Sequence, residues 1–204
     1  MTKILYSKTS PYVRKVLMLL WETGLNEKIE LELAAPWTAE TAVPKDNPLG
    51  KIPVLILDDG AQLYDSPVIC EYLDTLHGKE KLFPQSGMAR WTALRRQALG
   101  DGMMDAAAAA YVETVFHDEQ KRSADWDKRQ RSAIGRTLAV LETEADDLAG
   151  SFTIGHLAIL SALGYLDLRF SDIGWRNGCP KLAAWFERES ARRSFKETVP
   201  QLPK

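Results

Sequence analysis

The chain is poor in cysteine, with two in 204 residues. Cys70 and Cys179 lie far apart without metal-ligand spacing, so no metal site is expected. The plain reading of so few thiols is a reducing, cytoplasmic setting. No charge of one sign prevails. A formal net charge of −2 gives no reason to expect a nucleic-acid or anionic-membrane partner. No long hydrophobic run is present near the start, where Val16 to Trp21 is far too short to span a bilayer. The same region lacks the basic head and small-residue cleavage site of a signal peptide. No internal repeat is evident, and no strand pattern follows Tyr64. What remains is an ordinary globular balance, 45% hydrophobic and 26% charged, in a chain long enough for two small domains.

The first third alternates short strands with helices. Lys3 to Tyr6 reads as a buried strand, followed by a turn at Thr9, Ser10 and Pro11. A helix is expected from Pro11 to Thr23, with Val13, Val16, Leu17 and Leu20 on one face and Gly24 as its stop. Glu30 to Leu33 reads as a half-polar strand, and residues 34–47 as a polar loop. Pro53 to Leu57 and Ala61 to Tyr64 flank an Asp-Gly turn, a strong hairpin pattern. Ser66 as cap and Pro67 as first residue then open a helix through Leu76. The order β-α-β-β-β-α, with a parallel pair made first and a hairpin after it, is the thioredoxin-like α/β pattern. Residues 77–87 read as a linker, which bounds a first domain at 1–79 and an all-α helical bundle at 87–204. Its helices are expected at about 88–116, 124–149, 153–170 and 180–193, the third apolar all round and therefore central.

Three pieces of the first domain carry chemistry. Thr9-Ser10-Pro11 places hydroxyls at a helix N-terminus, where unpaired N–H groups and the dipole favour an anion such as a thiolate; Ser10 as a plain cap is the other reading. Pro53 at the start of a strand cannot donate to the ladder. If its peptide bond is cis, Ile52 turns its N–H and C=O outward to hold a short peptide; a simple edge proline is the alternative. Asp65 and Ser66 stand at a helix start, where N–H groups, hydroxyl and carboxylate suit the charged ends of a γ-glutamyl group, or merely cap the helix.

Ser10-Pro-Tyr-Val-Arg-Lys15, Asn47-Pro-Leu-Gly-Lys-Ile-Pro53 and Asp65-Ser-Pro-Val-Ile-Cys70, in this order, resemble the N-terminal motifs of bacterial glutathione transferases, and the resemblance extends along essentially the whole chain. It implies that glutathione is the co-substrate and that Ser10 faces its sulfur, with Thr9 the nearest competitor. It implies further that Ile52, before cis Pro53, pairs with the cysteinyl backbone. Asp65 and Ser66 would hold the γ-glutamyl end and Lys51 the glycine carboxylate. Asp101 resembles a residue that reaches the neighbouring subunit's glutathione in some relatives, although a solvated helix-surface carboxylate is the reading its residue type favours. A homodimer and a small electrophilic second substrate complete what the resemblance implies. The turn carries no cysteine at positions 9–12, so Thr9-Ser10-Pro11-Tyr12 cannot form the mixed disulfide of a glutaredoxin-like centre. Ser151 to Ala158 resembles the family's capping motif before the central helix, with His156 where an aspartate is usual. Thr153 is expected to cap, with the reciprocal half of the box weakened. The function expected is conjugation of glutathione to electrophiles. The alternatives are a non-catalytic binding module on the same fold and a glutathione-dependent reductase, dehalogenase or isomerase.

Overall fold

The structure is a computed structural model and describes residues 1–202. It divides into two compact units, one of Met1–Arg90 together with the chain from Arg192 on, the other of Trp91–Ala191. The elements run β1 (Lys3–Tyr6), α1 (Pro11–Thr23), β2 (Glu30–Leu33), α2 (Val43–Asp46), β3 (Val54–Ile56), β4 (Gln62–Leu63), α3 (Ser66–Thr75), α4 (Gly87–Phe116), α5 (Ala124–Thr143), α6 (Ile154–Arg169), α7 (Pro180–Ser190) and α8 (Arg193–Lys196). This is the expected α/β, thioredoxin-like half followed by a helical half.

In the first unit the sheet order is β2-β1-β3-β4. β1 lies parallel to β2, with Lys3 opposite Glu30, and antiparallel to β3, with Leu5 opposite Val54. α1 forms where local signals agree. Ser10 caps it, Pro11 occupies its first turn, and Gly24 ends it at φ 78°, donating its N–H to the Leu20 carbonyl. Val13, Val16, Leu19 and Leu20 are buried on α1, which packs on α3. The loop expected at 34–47 contains α2, a single turn whose Val43 is buried. So short a helix has no periodicity to read and is held by tertiary burial. At α3 the cap is Asp65, one residue before the expected Ser66, which is instead the first helical residue. The linker after α3 is tied down. The buried Asp74 carboxylate accepts from the Leu82 and Phe83 N–H groups, each at 3.0 Å, and sits 2.9 Å from Nε2 of His77.

In the second unit α6 is central, with every residue from Ile154 to Leu166 buried. Gly100 of α4 faces Ala158, and Gly155 of α6 faces Ala93 and Arg96, so the two helices meet where side chains are absent. His156 completes the capping box before α6, contrary to the weakened box expected from the sequence. Its Nδ1 accepts the Thr153 N–H at 3.0 Å, as an aspartate oxygen would, because a neutral imidazole keeps one acceptor nitrogen. The single helix expected at 124–149 breaks at Glu144 into a 3₁₀ turn, Ala145–Ala149. α7 stops at Ser190 because Arg192 is extended. The chain from Arg192 on groups with the first unit, whereas the sequence places 87–204 in one helical domain.

Glu144 receives hydrogen bonds from Arg95 at 2.7 Å and Arg96 at 3.4 Å. The Arg95 bond, more than burial opposes, holds its carboxyl below the usual range. A depressed folded-state pKa stabilises above the unfolded value, roughly 4.3, and that stabilisation is lost as pH falls through the folded value. Glu144→Gln is expected to lower Tm by a few degrees at pH 7, and the difference from wild type to shrink below about pH 4. Thermal melts of both proteins across pH 3–7 measure this; a pH-independent difference would exclude the ion pairs as its cause.

Candidate functional site

The strand registers bring three sequence-distant pieces to one end of the sheet. β1 runs out toward Ser10 at the end where β3 begins, since Leu5 pairs with Val54. β4 ends there too, because Leu55 of β3 pairs with Leu63 just before Asp65. The turn at Thr9 and Ser10, the Ile52–Pro53 pair and the Asp65–Ser66 helix start therefore share one edge.

Ser10 is half-buried and accepts the Val13 N–H through Oγ at 3.3 Å. Both readings of this serine are thus compatible, since a hydroxyl that accepts for capping keeps its own proton to donate. Thr9 lies one residue further out in the turn, also half-buried. The Ile52–Pro53 peptide is cis, as expected. Ile52 lies two residues before Val54, the first paired residue of β3, so it stands outside the ladder. Asp65 is exposed, and its side chain makes no capping bond to α3, although its carbonyl accepts from Ile69 at 3.0 Å. Ser66 is 2% exposed. Lys51 is exposed on the turn before Ile52. Asp101 belongs to α4, in the other unit, and is half-buried there.

One positioning residue was missed. Asn47 is 1% exposed, and its Nδ2 donates to the Lys51 carbonyl at 2.8 Å while its Oδ1 accepts from Leu49 at 3.0 Å. With Gly50 at φ 64°, it shapes the turn that delivers Lys51 and Ile52. Asparagine before proline is an Asx-turn signal, legible in Asn47-Pro48. Neither cysteine belongs to the site. Cys70 is fully buried. Cys179 is also buried, 3.8 Å from the Leu138 carbonyl, and burial pushes its thiol above the usual range. Among the described residues no group of histidine, cysteine or carboxylate side chains is arranged to hold a metal, and no helix is long and apolar enough to cross a membrane.

Comparison with known proteins gives a consistent result. Residues 9–76 match the family model for the glutathione S-transferase N-terminal domain, and residues 101–188 that for the C-terminal domain. An uncharacterized GST-like protein of Escherichia coli, YibF, is 35% identical over 201 residues, covering 97% of this chain and 98% of that one. A glutathione transferase family member from Pseudomonas fluorescens Pf-5, solved with bound glutathione, is 43% identical with a TM-score of 0.95, covering 99% of this chain and 100% of its own. A glutathione S-transferase from Methylobacillus flagellatus, also solved with glutathione, is 37% identical with a TM-score of 0.92, covering 98% of this chain and 100% of its own.

Proposed function

Since the chain belongs to the glutathione S-transferase family, we propose that its first unit binds glutathione and activates the thiol for attack on a small electrophile. The observation that carries the reading is Ser10. It sits at the N-terminus of α1 with Oγ already accepting from Val13, so its proton is available to a sulfur placed there. Thr9, in the same turn, is the competing donor.

A free thiol has a pKa near 8.5, and only a few per cent is thiolate at pH 7. A hydroxyl donating to sulfur and the positive end of α1 both favour the charged form. Lowering the thiol pKa by one to two units requires about 1.4–2.7 kcal/mol, which one charge-assisted bond plus a helix end can supply. The thiolate then forms a carbon–sulfur bond while the leaving group departs with the bonding pair, so Ser10 stabilises the nucleophile without becoming one. Ile52 and cis Pro53 hold the cysteinyl backbone in the manner of an added strand. Asp65, whose carboxylate is not spent on its own helix, pairs with the α-amino group of the γ-glutamyl end, with Ser66 beside it. Lys51 neutralises the glycine carboxylate.

Calorimetric titration tests the binding half directly. Glutathione should bind the wild type saturably, and Asp65→Ala should weaken it about ten- to a hundredfold, the value of a lost charge-assisted bond. Absence of binding to the wild type at millimolar glutathione would overturn the reading and leave a binding module for some other ligand.

A further inference from the structure

Arg169 is the last residue of α6, in the second unit, and both carboxylates that flank it in sequence are spent on other groups. Asp167 accepts from Arg176 at 2.6 and 2.7 Å and from the Trp175 indole at 2.9 Å. Asp172 pairs with Arg131 at 2.7 Å. Glu113, on the last turn of α4, is taken by the Ser123 N–H at 2.9 Å and by His117 at 3.2 Å. Among the described residues no carboxylate pairs with Arg169, and its Nε is buried without an acceptor. A buried donor of a cationic group left in this way is costly, and a ligand that supplies oxygens relieves the cost.

The groups that hold this side chain are aromatic. α4 and α6 run in the same direction, since Gly100 faces Ala158 and, three turns further on, Tyr111 faces Arg169. The Arg169 guanidinium lies 4.2 Å from the centroid of the Tyr111 ring, a stacking that fixes its plane. Tyr165, one turn earlier on α6, brings its hydroxyl within hydrogen-bonding reach of the same guanidinium. Tyr165 is 5% exposed, and burial pushes its hydroxyl up to about 12, so it keeps its proton. A hydroxyl whose oxygen accepts from Arg169 still has that proton to give to a third group.

We propose that Arg169, fixed between Tyr111 and Tyr165, is the recognition point for the carboxylate of a small organic ligand bound by the helical unit. The planar guanidinium meets the two carboxylate oxygens with two parallel N–H bonds, and Tyr165 adds an O–H to one of them. A doubly charged phosphate would call for a second cation. The neighbouring candidates, Arg131 and Arg176, are already neutralised by Asp127, Asp172 and Asp167. The ligand class is therefore a monocarboxylate. Two sources offer that chemistry, a free organic acid and a carboxylate carried on the group joined to glutathione sulfur; only the second rests on the glutathione reading.

Fluorine NMR of 4-fluorobenzoate with the full chain measures this without turnover. The probe should bind the wild type saturably with a Kd of about 1 mM or tighter, and uncharged 4-fluorobenzyl alcohol should not. Arg169→Gln should weaken binding at least about tenfold, the value of a lost charge-assisted pair. Arg169→Lys keeps the charge and loses the fork, so it should recover only part of that loss. Tyr165→Phe should cost about three- to tenfold. Displacement of the probe by S-(2-carboxyethyl)glutathione and not by S-propylglutathione assigns the carboxylate to the conjugated group, and displacement by neither assigns it to a free acid. Binding that is equal in wild type and Arg169→Gln overturns the proposal. So does a wild type that neither binds 4-fluorobenzoate nor prefers the carboxyethyl conjugate to the propyl one. Failure of glutathione itself to bind removes only the conjugate as a source.

Discussion

Ser10→Ala is expected to raise the apparent thiol pKa of bound glutathione by one to two units and, through the fall in thiolate fraction, to slow conjugation at pH 7 by about eight- to twenty-fivefold. The reason is specific to one proton. Ser10 Oγ accepts the Val13 N–H with a lone pair, which leaves its O–H free to serve as the donor that stabilises a thiolate. The same substitution removes the N-cap of α1, with a cost of about 1 kcal/mol, so a fall in rate alone would not separate the two roles. The ultraviolet absorbance of the thiolate, titrated against pH in the bound complex, does separate them, because lost capping moves Tm and not the thiol pKa. Ser10→Thr keeps a hydroxyl and a cap and should restore most of the pKa shift. An unchanged thiol pKa in Ser10→Ala, with a raised one in Thr9→Ala, would transfer the role to Thr9.

Gly155→Ala and Gly100→Ala should be severely damaging single methyls in the helical unit. A Cβ built on Gly155 lies 2.6 Å from the Arg96 Cβ and 2.9 Å from the Ala93 carbonyl oxygen, and one built on Gly100 lies 2.6 Å from the Ala158 carbonyl carbon. Neither neighbour is the end of a flexible chain, so α4 and α6 must separate. Overpacking of this kind costs about 1–3 kcal/mol where side chains can yield and more where backbone must move. A loss of about 3 kcal/mol or more corresponds to a Tm lower by roughly 6–12 °C in a chain of this length. Gly102→Ala, on α4 two residues from Gly100 but with nothing within 4 Å of its new Cβ, should be neutral or slightly stabilising. Thermal unfolding of Gly155→Ala, Gly100→Ala and Gly102→Ala decides the matter. Equal melting temperatures for Gly155→Ala and Gly102→Ala would show that α4 and α6 do not meet as closely as described.

Local chemistry made much of this protein legible in advance. α1 begins and ends where Ser10, Pro11 and Gly24 indicate, because a cap, a first-turn proline and a left-handed glycine each act within one turn. The hairpin around Asp58 to Gly60 and the buried central helix were equally plain, one from turn residues and the other from apolar composition on every face. The motifs around Ser10, Pro53 and Asp65 identified the family.

Other features depend on partners that sequence spacing does not pair. α2 exists because Val43 is buried, and His156 completes a capping box because its ring nitrogen can take the place of a carboxylate oxygen. The C-terminal segment reads as the end of a helical domain, yet Glu22 and Arg14, more than 150 residues away, draw it onto α1. Residues 9–76 and 101–188 by themselves determine the family and the chemistry expected of the turn at Ser10. Only the tertiary structure decided which distant segment packs on α1. Helix caps, turns and amphipathic faces are read within a few residues, whereas a distant segment settles where it finds its ion pairs and ring contacts.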